Sequence, residues 1–238
     1  MRAYSIALVL NACLMASVAQ AACPDATAIS GFVADWEGKR PAKALPVANP
    51  EDAACARGKL VAELQGKLGK VVGYKAGLTA KAVQERFKAD GPVSGVLFEK
   101  MILNDGAKLP AAYGARPVWE ADMLLVVKDE GINTARTPEE ALRHISGMRP
   151  FIELPDLALA PSETLDGTQL LAINVAARFG VAGPEVPLNA DAATVALLAE
   201  TRIVATDASG TTLAEGTGAA TLGNPLNSVI WLVQDLTK

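Results

Sequence analysis

The run Pro117-Val118-Trp119-Glu120-Ala121-Asp122-Met123-Leu124-Leu125-Val126-Val127 places acids inside what reads as a buried strand, and the rest of the chain has to accommodate them. Its apolar, β-branched content predicts a strand, in which residues two apart share a face. Glu120 and Asp122 therefore point the same way. A third acid, Glu153, lies in Arg149-Pro150-Phe151-Ile152-Glu153-Leu154, a second short apolar run expected to be a strand. Ionised carboxylates gathered on one face repel each other and lose solvation, at a cost of several kcal/mol per group, unless a cation or donors neutralise them. A Mg²⁺ or Mn²⁺ ion, which prefers oxygen ligands, would resolve the conflict. Taken alone, an E-x-D pattern also fits ordinary rim acids, so the neighbouring segments decide.

Along the chain, Ile29, Phe32, Val33 and Trp36 recur at helical spacing in a first helix over 28–37, and the Pro-containing 40–50 is a loop. A second helix is expected over 51–68 with Gly69 as its stop, and Val71 to Lys75 as a strand. Thr79 is placed to cap a helix from Ala80 to about Lys88. Thr137-Pro138-Glu139-Glu140 has the form of a capping box with Pro at the first helical position, predicting a helix to about Ser146 that contains His144. Residues 168–177 are helix or strand. Asp207-Ala208-Ser209-Gly210 is a hairpin turn between 194–205 and 211–216, and Asn224-Pro225 opens a last helix to Leu236.

Half of the 238 residues are hydrophobic, enough for one domain with its own core. A net charge of −4 leaves no basic footprint for nucleic acid. Met1-Arg2, an apolar run to Val18 and Ala19-Gln20-Ala21 have the form of a secretory signal peptide over 1–21, leaving a mature domain of 22–238 without a membrane span in a periplasmic or secreted setting. That mature chain keeps Cys23 and Cys55, an even number that predicts a disulfide in an oxidising compartment. Two free thiols, or lipidation at Cys23, are the alternatives.

Gly73-Tyr74-Lys75-Ala76-Gly77-Leu78-Thr79, then Gly95-Val96-Leu97-Phe98-Glu99, Glu120-Ala121-Asp122, Glu153-Leu154-Pro155-Asp156 and the late Gly218 to Pro225 segment resemble the 2-keto-4-pentenoate hydratase and 4-oxalocrotonate decarboxylase family of the fumarylacetoacetate hydrolase superfamily. The resemblance implies an α+β fold: a mixed β-sheet roll with peripheral helices around one Mg²⁺ or Mn²⁺ ion. Glu120, Asp122 and Glu153 fall on the metal-ligand positions and Lys75 on the active-site lysine. Asp156 falls on an orienting acid, and Leu78, Thr79 and Asn174 on substrate-binding positions. It implies a lyase that hydrates a small 2-oxo-4-enoic acid through an enolate stabilised by the metal. A decarboxylase of the same family, or an exported binding protein for small carboxylates, is the alternative.

Three departures stand out against the family pattern. Asp122 replaces a more usual Glu, and around Asn174 the family's D-N-A-S becomes Ile173-Asn174-Val175-Ala176. An Arg expected soon after Asp156 is absent, with Leu157 and Ala158 there instead. Members also usually continue beyond the last helix seen here, which together with the resemblance points to a homo-oligomer. The single histidine, His144, leaves no Glu-His pair to activate water, which disfavours C–C bond hydrolysis against hydration or decarboxylation.

Overall fold

The computed structural model describes residues 23–237. The signal peptide expected over 1–21 lies outside the described residues. Asp25 caps α1 (Ala26–Glu37), whose Ile29, Phe32, Val33 and Trp36 form the buried stripe. Asn49 caps α2 (Pro50–Leu68), with Pro50 at its first turn, and Gly69 at φ 86° ends it. The two helices pack with Leu45, Phe98, Met101 and Ile173 in a first apolar core. A disulfide between Cys23 and Cys55, Cα–Cα 5.6 Å, ties the residues ahead of α1 to α2.

β1 (Val71–Gly77) and β2 (Val93–Phe98) form an antiparallel pair in which Lys75 lies opposite Gly95. Alternation along β1 leaves Val72 and Tyr74 exposed and turns Gly73, Lys75 and Gly77 inward. Between these strands, α3 (Lys81–Arg86) starts after Ala80 with no side-chain cap. Thr79 therefore does not cap it: Leu78 sits at φ 57°, a turn braced by the Gln84 side chain donating to its carbonyl at 2.9 Å, and Thr79 lines a pocket instead.

The principal sheet is mixed. β3 (Ile102–Asn104), β4 (Glu120–Val127), β5 (Ile145–Leu154), β6 (Phe179–Ala182) and β7 (Val186–Pro187) are arranged in the order β3-β6-β5-β4, with β7 paired to the first part of β5. Only β3 and β6 run parallel. Between β4 and β5, α4 (Pro138–Leu142) begins with the reciprocal Thr137–Glu140 capping box but stops at Leu142, short of the expected Ser146. The reason is tertiary: buried Ile145 pairs with Val127 and begins β5. His144 consequently stands outside the helix, its Nδ1 2.6 Å from Asp129 Oδ1.

α5 (Gly167–Ala172) settles the undecided segment as helix, followed by a short 3₁₀ turn over Asn174–Ala176. α6 (Ala192–Glu200) occupies the first part of the expected hairpin arm, so that β8 (Arg202–Thr206) and β9 (Thr212–Thr217) alone form the hairpin. α7 (Pro225–Leu236), capped by Asn224, closes a second core with α4 and α6 through Leu142, Leu198, Leu226 and Ile230. Helices and a mixed sheet make the fold α+β. Among the described residues no helix is long and apolar enough to cross a membrane.

Candidate active site

β4 and β5 pair so that Glu120 lies directly across from Glu153, and Asp122 two residues along faces Phe151. This register brings the three acids to one face at the open end of the sheet. Lys75 comes in from β1: its Nζ donates to the Glu153 carboxylate and, at 3.0 Å, to the Val175 carbonyl. Both partners of the ion pair are well shielded, with side chains 12% and 8% exposed. Lys75, Glu120, Asp122 and Glu153 line one pocket together with Leu78, Thr79 and Leu157.

The electrostatics are those of a site short of positive charge. Burial pushes the Asp122 carboxyl up to about 6, against the pull of the Met123 amide, with Glu153 adding to the rise. Glu120 stands at the rim with much of its surface exposed, yet the crowding around its carboxyl, followed by the Glu153 charge, also raises it, and Lys75 only partly offsets this. Glu153 keeps its partner in Lys75, while Asp122 Oδ1 accepts from its own strand's Met123 amide at 2.7 Å. Because two of the acids are engaged in this way, the expected ligand set shares a wall but not a point. Among the described residues no three His, Cys, Asp or Glu side chains converge closely enough to hold a metal ion.

Leu78 and Thr79 line the pocket; Asn174 and Asp156 do not. Asn174 is 1% exposed and spends its amide on the backbone of β2, accepting from Val96 N at 2.7 Å and donating to Val96 O at 2.9 Å. In this structure the β2 backbone takes up the amide that the family resemblance assigns to substrate binding. Asp156, also 1% exposed, accepts from the amides of Ala115 (3.0 Å), Arg116 (2.7 Å) and Ala158 (3.2 Å) and pairs with Arg178 at 3.0 Å. Arg178 in turn stacks on Trp36, 4.2 Å from the ring centre. Asp156 thus fastens the segment before β4 to the end of β5, where Val118 N also reaches Pro155 O at 3.0 Å. The effect is to hold Glu120 across from Glu153.

Arg178 and Tyr113 carry no motif in the chain, and the backbone at 174–176 is marked by Asn174 alone. Tyr113 donates to the carbonyls of Val118 and Pro155 and, through burial first and the Asp156 charge second, is pushed up to about 12. Asn174, Val175 and Ala176 all occupy the left-handed region, at φ 58°, 52° and 55°. For a β-branched residue such as Val175 this is an outlier, costing about 1–2 kcal/mol per residue. Only Asn174, a residue tolerant of positive φ, hinted at it. Glycines make the room: a Cβ on Gly77 would run into Val175 Cγ1, and one on Gly95 would come 2.9 Å from the Asn174 carbonyl.

No protein-family model matches the chain. In sequence the chain is similar to the 2-keto-4-pentenoate hydratase of Burkholderia vietnamiensis, 31% identical over 169 residues, which cover 71% of this chain and 62% of that one. It is 29% identical to the 2-keto-4-pentenoate hydratase of Paraburkholderia xenovorans over 71% of this chain and 61% of that one. It is also 28% identical to the 2-hydroxypent-2,4-dienoate hydratase of Pseudomonas putida over 70% of this chain and 73% of that one. The matched region spans 61–62% of the first two relatives' length. In fold it superposes on the 4-oxalocrotonate decarboxylase of Pseudomonas putida G7 complexed with magnesium and adipate, with a TM-score of 0.77 at 21% identity, covering 89% of this chain and 80% of that one. A second structure of that decarboxylase, with calcium and acetate, gives 0.73 at 19% identity over 89% of this chain and 79% of that one. The chain is thus similar in sequence to 2-keto-4-pentenoate hydratases over less than two thirds of their length, and it has the fold of the 4-oxalocrotonate decarboxylase structures.

Proposed function

We propose that the chain is a lyase that hydrates a small 2-oxo-4-enoic acid such as 2-keto-4-pentenoate, with a divalent cation at its acids. The observation that carries this reading is the meeting of Lys75 with Glu153 in the pocket that Glu120 and Asp122 also line. In kind the donor set suits Mg²⁺ or Mn²⁺: three carboxylates, hard oxygen donors, two of them raised first by burial, which line one wall without yet converging on a point. Glu120, Asp122 and Glu153 would hold the ion, which when bound supplies positive charge and a Lewis acid for the carboxylate and 2-oxo oxygens of an acid.

The remaining work falls to the chain's own groups. Hydration of a conjugated acid delivers a proton to carbon and takes one from water, and both transfers need a positioned acid or base. Lys75 is the cation of this pocket and holds a proton at Nζ, where a charged donor also steadies negative charge on the substrate. The far wall is apolar, made by Leu78, Val83, Phe87, Leu157 and Leu170, and excludes water from the tail of a bound acid. That wall favours hydration over the decarboxylase reading. The second carboxylate of an oxalocrotonate-like diacid would be desolvated against these apolar side chains.

We also propose export to the periplasm or beyond, supported by the leader-like first residues and by the Cys23–Cys55 bond. A homo-oligomer is proposed from the exposed apolar residues of the hairpin and sheet, among them Leu213, Trp119 and Ile152. The deciding experiment is ultraviolet detection of dienoate loss by the mature protein with Mg²⁺ or Mn²⁺, beside Lys75→Ala and Glu120→Gln. Turnover lost in both variants supports the reading. Binding of the acid with no turnover under any metal favours the binding-protein alternative.

A further inference from the structure

From the contacts around Lys75 we infer that Asn174 is a positioning residue, which locks the left-handed turn whose Val175 carbonyl fixes the Lys75 ammonium. An ammonium has three N–H donors. In Lys75 one goes to Glu153 and one to the Val175 carbonyl at 3.0 Å, leaving a third for whatever occupies the pocket that Lys75 lines. The direction of that third donor depends on where the Val175 carbonyl is held.

Nothing in Val175 itself favours its conformation; the neighbours impose it. Asn174 clips the turn to β2 by two bonds to Val96, replacing the contacts a strand neighbour would make. At the other side the Ala176 carbonyl accepts from Asp156 N at 2.9 Å, tying the turn to the end of β5 just past Glu153. Gly95 lets the turn approach, since a Cβ there would stand 3.0 Å from Lys75 Cγ and 3.3 Å from Val175 Cβ. The turn thus joins the strand that carries Glu153 to the pair that carries Lys75, and Asn174 supplies its side-chain clasp to Val96. It sets the distance between acid and lysine without touching a ligand. The catalytic consequence rests on the reading of Lys75 as an active-site group; the positioning itself does not.

The test separates the two. Disulfide-intact mature protein is acetylated with an N-hydroxysuccinimide ester at one fixed pH, and modification of Lys75 is followed by peptide mass spectrometry against exposed Lys81 and Lys88. Asn174→Ala and Asn174→Gly should both quicken Lys75 acetylation by about tenfold, with Lys81 and Lys88 unchanged. Asn224→Ala, which removes a comparable amide bond to Val195 at the other end of the second core's helix pair and makes no bond to the 174–176 turn, should leave Lys75 at the wild-type rate. Asn174→Asp, which retains acceptance from Val96 N, should fall between and serves if the other variants do not fold. Glycine accepts positive φ without the clasp. Wild-type protection of Lys75 in Asn174→Gly would therefore overturn the inference, as would equal quickening in Asn224→Ala. With a 2-keto-4-pentenoate assay, the Asn174 variants should lose kcat while KM stays within about twofold. Absence of turnover in the wild type would instead defeat the functional reading, and the acetylation result would still decide the positioning.

Discussion

Replacing Asp122 by Asn should stabilise the metal-free protein at neutral and alkaline pH and leave it unchanged in acid. The folded carboxyl titrates at about 6 against an ordinary 3.8, because burial opposes its charge. A raised acid favours the folded state when protonated. The penalty is therefore absent below about pH 3.8, grows as pH rises through the interval, and is complete above about pH 6. The interval of about 2.2 pH units (6 − 3.8), at ~1.4 kcal/mol each, sets an upper bound of about 3 kcal/mol. Asparagine keeps an oxygen to accept from Met123 N and carries no charge, so it removes the penalty while holding the local bond. The assay is urea unfolding in EDTA from pH 4 to pH 8. A gain of about 2 kcal/mol at pH 8 corresponds to roughly 4–8 °C in Tm for a chain of this size. Saturating Mn²⁺ should reverse the order, stabilising the wild type more than the variant. A variant no more stable than wild type in EDTA at pH 8 would refute the argument that Asp122 is held at an electrostatic cost.

Other perturbations follow from the same contacts. Lys75→Met leaves the buried Glu153 carboxylate without its cation and should reduce turnover by about 10²–10⁴-fold, read by steady-state kinetics, and lower the urea midpoint. Asp156→Ala strands Arg178, whose side chain is 4% exposed, and should cost about 3–5 kcal/mol by denaturant unfolding; an effect under 1 kcal/mol would show that the pair does not hold β4 to β5. Gly77→Ala drives a methyl into Val175 and should cost about 1–3 kcal/mol, whereas Gly216→Ala, in a strand where the Cβ meets nothing, serves as the control. Cys55→Ser opens a link with a sequence separation of 32 residues and should lower stability by about 3–4 kcal/mol in urea titration, an effect that reduction of the wild type should reproduce.

How far the residues themselves announced this arrangement differs from element to element. Helices with local signals were legible: the Asn224-Pro225 start, the Thr137–Glu140 box and the Gly69 stop are chemistry within a few residues of chain, whereas the Asn49 cap inside the expected loop was not read. Alternation in β4 placed Glu120 and Asp122 on one face, and the register then put Glu153 across from Glu120. What sequence could not supply was decided by distant partners. α4 ends early because Ile145 pairs with Val127, and Phe179 to Ala182 is a strand because Gly180 leaves room for the Phe151 ring. Asn174 and Asp156 carried the right residue type for a site, but backbone groups far along the chain had already used their polar atoms. The left-handed backbone at Val175 has no glycine to betray it and is imposed by the elements on either side.

If Glu120, Asp122 and Glu153 serve one divalent cation beside Lys75, calorimetric titration of Mn²⁺ into metal-stripped protein will show it. The prediction is one site per chain, tightened by oxalate as a bidentate acid and lost in both Glu120→Gln and Asp122→Asn. An absence of binding heat in the wild type, or binding that neither substitution alters, would contradict it.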